Sequence, residues 1–113
     1  MSLTIQALTP EVCVAPQLEP AAMAEAAAAG FRSVINNRPD FEGGPDQPTS
    51  AQIEAAALDA GLAYCHLPVN GGYQSPEEIE QFKQLLAELP RPILAFCRSG
   101  ARSTRLFNAA TAA

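Results

Sequence analysis

The stretch ILAFCRSGARST, Ile93 to Thr104, decides the fold of this chain. Its first four residues are apolar and indicate a buried strand, and the residues after the second arginine read as a helix. Cys97 stands where the predicted strand ends, and Gly100 lies in the loop that follows. Ligands of parallel α/β sheets bind outside the carboxyl ends of the strands. The stretch therefore predicts an α/β sheet and places the functional site at Cys97.

The rest of the chain alternates predicted strands with predicted helices. Strands are predicted over 11–16, 31–37, 62–69 and 93–96, and helices over 19–30, 50–60, 76–89 and 103–113. Two helices begin at a capping box, formed by Thr49 with Gln52 and by Ser75 with Glu78. This alternation predicts a small, mostly parallel sheet of four to five strands flanked by helices. We expect a single domain over residues 1–113, because a chain of this length has room for one core.

Charge and composition exclude several kinds of partner. The formal net charge is -5, so nucleic acid and anionic membranes would repel the protein as a whole. No apolar run approaches the roughly 20 residues of a membrane span, and the N-terminal MSLTIQALTP does not resemble a signal peptide. These features predict a cytoplasmic protein that binds neither nucleic acid nor membranes. The three cysteines are an odd number in such a chain, so reduced thiols are expected.

The loop after the last predicted strand has the composition of an anion-binding loop around a reactive thiolate. Cys97 would face a helix N-terminus, whose free N–H groups and dipole favour an anion, and Arg98 and Arg102 add positive charge. Such surroundings lower the pKa of a cysteine from about 8.5 to roughly 4 to 7, which makes the sulfur a nucleophile. The alternative is a buried cysteine in an ordinary turn, which this combination of residues disfavours. We therefore expect Cys97 to face solvent.

Each residue of this loop has an expected role. Gly100 lets the loop curl so that its amides point inward, and Ser103 either caps the helix or donates its hydroxyl to the sulfur. Cys97 and Arg102 are the predicted catalytic residues. The predicted anion-binding loop comprises Arg98, Ser99, Gly100, Ala101, Arg102 and Ser103.

Three segments together resemble one bacterial family. VINNRPDFEG (34–43), AGLAYCHLPV (60–69) and CRSGARS (97–103) resemble the phosphatase-like or sulfurtransferase-like proteins and domains that are found fused to β-lactamase-like hydrolases. The resemblance implies the fold of the dual-specificity phosphatases and a β-lactamase-like hydrolase as a partner. The segment CRSGARS by itself is similar to the active-site loops of both rhodanese sulfurtransferases and cysteine-dependent phosphatases.

Loop length favours one of these two chemistries. Phosphatases of this fold carry five residues between the cysteine and the arginine, which makes a cradle for a tetrahedral phosphoryl group. Only four residues separate Cys97 from Arg102, as in rhodaneses, in which the cysteine carries a persulfide. We therefore expect sulfur transfer from a small anionic sulfane donor to a thiol acceptor. Phosphate-ester hydrolysis through a phosphocysteine is the alternative, and a non-catalytic module that binds an anion or a persulfide is a third.

The predicted general acid is the weakest part of the phosphatase alternative. Phosphatases of this fold take an aspartate from the loop after the third strand, where this chain has Asn70 and Gly71. Neither residue can donate a proton as an acid. Asp40 or Glu42, in the loop after the second strand, could reach the site instead. Without such an acid, only aryl phosphates would leave easily enough to be substrates.

The remaining polar residues are expected to be structural. Arg38 and Asp40 are expected to pair and to shape the rim of the cradle, and His66 is expected to be hydrogen-bonded near it. Cys65 is expected in the core. Because Cys65 and His66 are adjacent on a strand and point to opposite faces, and no CxxC spacing occurs, we predict neither a metal nor a cofactor.

Overall fold

A computed structural model describes residues 3–112, so Met1, Ser2 and Ala113, the last residue of the last predicted helix, lie outside it. The described residues form five strands and four helices. In chain order these are β1 (Gln6–Thr9), β2 (Val12–Ala15), α1 (Ala22–Ala28), β3 (Ser33–Asn36), α2 (Ser50–Asp59), β4 (Ala63–His66), α3 (Pro76–Glu88), β5 (Ile93–Phe96) and α4 (Ala101–Thr111). The predicted α/β class with helices around a small sheet is confirmed.

The sheet has the strand order β1-β2-β5-β3-β4. The strands β2, β5, β3 and β4 run parallel, so their carboxyl ends meet at one edge, where the sequence placed the site. The added strand β1 pairs antiparallel with β2 and was not predicted. It is a short edge strand, and a tight turn joins it to β2, in which Thr9 Oγ1 accepts the N–H groups of Glu11 and Val12.

Two helices, α2 and α3, begin at their predicted capping boxes, whereas α1 and α4 begin at other residues than predicted. Both capping boxes are confirmed, at Thr49 for α2 and at Ser75 for α3. Helix α1 begins only at Ala22, after Pro20. Helix α4 begins two residues earlier than predicted, because Gly100 serves as its N-cap with a φ of 93°.

The core lies on both faces of the sheet. Side chains of α1 and α2 pack with Leu94 and Phe96 on one face, and side chains of α3 and α4 pack with Ile93 and Ala95 on the other. The strand β5 is therefore central and buried on both sides. Since β5 leads directly into Cys97, a central and close-packed strand positions the sulfur.

Within residues 3–112, no helix combines the length and the hydropathy that crossing a membrane would need.

Candidate active site

Cys97 lies at the end of β5, underneath the loop that leads into α4. Its N–H donates to the carbonyl of Ala15 at the end of β2, and its Sγ accepts the N–H of Gly100 at 3.1 Å. The left-handed backbone of Gly100 turns this N–H toward the sulfur, a conformation that other residues rarely adopt. Cys97 is only 1% exposed, so the expectation that it faces solvent was wrong.

The surroundings of Cys97 favour its thiolate. Burial opposes ionisation of the thiol, but hydrogen bonds from the N–H and hydroxyl of Ser103 and from the N–H groups of Ser99 and Gly100 outweigh it. The pKa of Cys97 is therefore lowered below its ordinary value. Uncharged donors of the loop and of the first turn of α4 stabilise the anion, as expected for a nest at a helix N-terminus.

Ser103 does not cap helix α4, which Gly100 caps. Ser103 is buried in the first turn, and its hydroxyl lies against the sulfur and donates to Asn37 Oδ1 at 2.8 Å. The amide of Asn37 in turn donates to the carbonyl of Leu67 at 3.1 Å, which fixes the orientation of its oxygen. Because a hydroxyl has one proton, Ser103 donates either to Asn37 or to the sulfur at a given moment. Sequence reasoning assigned Asn37 only to bonds with loop backbone and missed its contact with Ser103. Its position directly after β3 was the signal that could have indicated this contact.

Arg102 is buried in the first turn of α4, and two of its three nitrogens have partners. One terminal nitrogen donates to the carbonyl of Val69 at 3.1 Å, and the other donates to Glu42 Oε1 at 3.0 Å. Its Nε is buried and has no hydrogen-bond partner among residues 3–112. A Cβ added at Gly71 would lie 3.0 Å from the guanidinium, so the loop after β4 approaches Arg102 closely.

Glu42 joins two arginines, and this arrangement corrects the predicted pairing of Arg38 with Asp40. Arg38 is buried, and its Nε donates to Glu42 Oε1 at 2.9 Å. Its terminal nitrogen donates to Gln17 Oε1 at 3.1 Å. Asp40 instead accepts the N–H of Ser50 at 2.7 Å, at the start of α2.

Neither predicted acid is placed to donate a proton. Partial burial raises the pKa of Glu42, but hydrogen bonds and charge from Arg102 and Arg38 outweigh it, so the pKa is lowered overall. Glu42 is therefore a carboxylate at neutral pH. Asp40 is exposed, and its carboxylate accepts the N–H of Ser50 at the start of α2. Glu42 therefore lies at the rim of the site as predicted, where it forms ion pairs with Arg38 and Arg102.

The other predicted rim residue, His66, is half-buried and bonds to backbone. Its Nε2 lies 2.9 Å from the carbonyl oxygen of Arg38, which supports the loop that carries Arg38. Cys65 is half-buried, so its predicted place in the core was wrong. Among residues 3–112, no three His, Cys, Asp or Glu side chains are grouped so that they could hold a metal ion.

A cavity of about 460 Å³ opens beside the loop. Three guanidinium groups and one carboxylate give it positive charge in a chain whose net charge is -5. Such a cavity can bind an oxyanion. Cys97 does not line it, but Arg98 and Arg102 follow Cys97 in the loop and in the first turn of α4. The lining residues of the cavity are Arg38, Glu42, Gly43, Gly71, Arg98 and Arg102.

Comparison with known proteins identifies the family of this chain. Residues 4–113 match the family described as the phosphatase-like domain of the β-lactamase hydrolase-like protein. The chain belongs to this family. The β-lactamase hydrolase-like protein of Agrobacterium fabrum is 41% identical over 80 residues, which cover 71% of this chain and 18% of that protein. The chain thus spans about a fifth of the length of the curated relatives it matches.

Solved structures of the phosphatase-like fold resemble this chain. A Neisseria meningitidis protein, provisionally named a phosphatase, has a TM-score of 0.83 and 34% identity over 90% of this chain and 72% of its own. A protein of Shewanella putrefaciens, provisionally named in the same way, has a TM-score of 0.77 over 91% of this chain and 64% of its own. At 19% identity it shows the fold alone. The comparisons thus favour the phosphatase alternative over the predicted sulfur transfer.

Proposed function

We propose that this chain hydrolyses phosphate monoesters through a phosphocysteine at Cys97. The observation that carries the proposal is the Nε atom of Arg102, which is buried without a hydrogen-bond partner among residues 3–112. A buried donor of this kind is costly, and an oxygen of a bound oxyanion would satisfy it. The lowered pKa of Cys97 supplies the thiolate beside the same loop. The phosphatase-like family and its named relatives support this choice of oxyanion.

The reaction has two balanced steps. The Cys97 thiolate attacks phosphorus, a sulfur–phosphorus bond forms, and the ester oxygen leaves with the electron pair of the broken phosphorus–oxygen bond. Water then attacks the phosphocysteine, releases inorganic phosphate and returns the thiolate, while its proton passes to solvent. Since Cys97 is 1% exposed, the first step requires the loop over it to move outward.

The leaving group must depart without a proton from the protein. Glu42 is ionised because its pKa is lowered, and Asp40 is bonded to the start of α2. Phenols, with a pKa of about 10, leave as anions far more readily than alcohols do. Aryl phosphates are therefore the proposed substrate class, and alkyl phosphates should react slowly.

A specific observation also favours sulfur transfer, as the second candidate. Four residues separate Cys97 from Arg102, and the N–H of Gly100 donates to the sulfur itself at 3.1 Å. So tight a cradle suits a persulfide. In this reaction the thiolate attacks the outer sulfur of thiosulfate, sulfite leaves, and a thiol acceptor then takes the sulfur from the persulfide.

The two candidates separate in one experiment. Hydrolysis of p-nitrophenyl phosphate and formation of thiocyanate from thiosulfate, with cyanide as the sulfur acceptor, are measured on the same preparation, with Cys97→Ser as the control. We expect phosphate release that the variant lacks. Thiocyanate without phosphate release would establish the second candidate instead. If neither phosphate nor thiocyanate is formed, the third alternative, a non-catalytic anion-binding module, is the one that remains.

A partner is also proposed. The curated relatives are named β-lactamase hydrolase-like proteins, and this chain covers 18% of their length. We propose that the domain works alongside a β-lactamase-like hydrolase that uses or supplies its small anionic ligand.

A further inference from the structure

We propose that Arg38 and Glu42 are positioning residues, which orient the guanidinium of Arg102 toward the oxygens of a bound oxyanion. The inference rests on the anion site of the proposed function, but it holds for a phosphoryl group and for thiosulfate alike. It gives Glu42 a role other than the acid that the sequence indicated.

Glu42 fixes the plane of the Arg102 guanidinium. One carboxylate oxygen, Oε1, accepts from Arg102 at 3.0 Å and from Arg38 at 2.9 Å. The carbonyl of Val69 holds the other terminal nitrogen of Arg102 at 3.1 Å. With both ends of the planar group held, the direction of the free Nε–H is determined.

Arg38 ties this carboxylate back to the loop over the sulfur. Its terminal nitrogen donates to Gln17 Oε1 at 3.1 Å. The backbone N–H of Gln17 donates to the carbonyl of Arg98 at 3.2 Å. The loops that follow β2, β3 and β5 are thus joined through one chain of contacts.

The charge balance of this cluster also points to a ligand. Two buried arginines share one carboxylate, so the cluster keeps an excess positive charge. Buried charges are normally paired, because an unpaired charge is costly away from water. A structural ion pair would need only one arginine. The excess charge fits an oxyanion substrate.

Two glycines lie so close to the guanidinium groups that an added Cβ would crowd them. A Cβ added at Gly43 would lie 2.6 Å from a terminal nitrogen of Arg38, and a Cβ at Gly71 would lie 3.0 Å from Arg102. The Cβ at Gly43 would also lie 3.1 Å from Gln47 Oε1, and the obstructing atoms of Arg38 and Gln47 are both ends of side chains. Gly43→Ala should therefore displace Arg38 at little cost to the fold. It removes no functional group, which makes it a clean test of positioning.

The experiment compares Gly43→Ala with Gly72→Ala, whose added Cβ would meet only Asn70 Oδ1 at 3.4 Å. Binding of inorganic phosphate is measured by calorimetry, and kcat and KM are measured with p-nitrophenyl phosphate. For Gly43→Ala we expect phosphate binding and kcat/KM each to weaken by about tenfold, as for a misdirected charge-assisted hydrogen bond. The melting temperature should stay close to that of Gly72→Ala, which should behave like the wild type.

A double-mutant cycle shows whether the effect passes through Arg38. In an Arg38→Ala background the Cβ of Ala at position 43 meets no guanidinium. It still meets Gln47 Oε1 at 3.1 Å, but Gln47 bonds to the backbone of Gly43 and Pro39, so Gly43→Ala should add no further loss of phosphate binding. Independent losses at the two positions would overturn the proposal, as would a Gly43→Ala variant that binds phosphate like Gly72→Ala. A wild type that binds no phosphate would also overturn it. If the wild type binds phosphate but hydrolyses no ester, the proposed function fails, and the binding cycle still decides this inference.

Discussion

The two halves of the site are stabilised in opposite ways. The sulfur of Cys97 is surrounded by uncharged donors, the N–H groups of the loop after β5 and of the first turn of α4. The guanidinium of Arg102 is held by a carboxylate and a carbonyl from two other loops, 60 and 33 residues away in the chain. Local backbone geometry therefore creates the nucleophile, while long-range side-chain contacts aim the cation. Substitutions around the Cys97 sulfur should therefore change mainly the rate of the chemical step. Substitutions around Arg102 should change mainly the affinity for the anion.

Replacement of the nucleophile should have the largest effect. Cys97→Ser should lower kcat by about a thousandfold or more, because a serine hydroxyl in this cradle is not ionised at neutral pH. The fold should persist, since the hydroxyl can accept the same N–H of Gly100 that the sulfur accepts. Steady-state kinetics and a thermal melt decide it, with Cys65→Ser as the matched cysteine control. Turnover near the wild-type rate in Cys97→Ser would refute every reading of the site that relies on this sulfur.

The next effect should come from the arginine half. Arg102→Lys keeps the charge but loses the planar fork that meets Val69, Glu42 and the anion together. We expect kcat/KM to fall by about a hundredfold and phosphate binding to weaken, while the reactivity of Cys97 toward alkylation changes little. Kinetics, calorimetry and alkylation of the same sample test this separation. A large loss of thiolate reactivity would show that the two halves are not independent.

The sequence predicted Cys97 and Arg102 as site residues and placed both between a strand and a helix, but it did not predict the contacts that hold the Arg102 guanidinium. Cys97, Gly100 and the helix after them lie within a few residues of one another, so ordinary strand, turn and helix rules place them. Glu42 and Arg102 pair because the loop after β3 and the helix after β5 meet in the folded sheet. No local sequence pattern predicts this contact. For the same reason the sequence suggested Asp40 as a partner of Arg38 and gave Gln17 no role. The strand β1 was missed because a short, exposed edge strand has little hydrophobic periodicity.

The pH dependence of thiol reactivity sharpens the comparison between the cysteines. The pKa of Cys97 is lowered by the N–H donors around it, whereas burial raises the pKa values of Cys13 and Cys65. At about pH 7 iodoacetamide should therefore modify Cys97 severalfold faster than the other two, although Cys65 is the more exposed. As the pH rises above the ordinary thiol pKa of about 8.5, the advantage should shrink.

Mass spectrometry of partly alkylated protein measures these rates residue by residue. The lowered pKa of Cys97 also makes the free energy of unfolding depend on pH. A lowered pKa in the folded state adds stability at high pH, and this contribution is lost as the pH falls through the lowered pKa. If all three cysteines react together and only above about pH 8, the loop does not activate its sulfur.

The smallest effect should come from Cys65→Ser. Cys65 lies on β4 and is half-buried, so a serine hydroxyl there keeps partial access to water. We expect the free energy of unfolding to fall by less than about 1 kcal/mol, below the usual cost of burying an unsatisfied hydroxyl. Phosphate binding and kcat/KM should equal those of the wild type, because Cys65 does not line the cavity beside Arg102. Chemical denaturation with activity assays on the same sample provides the measurement. A loss of several kcal/mol would place this thiol in the core after all, and a loss of activity at unchanged stability would extend the site to β4.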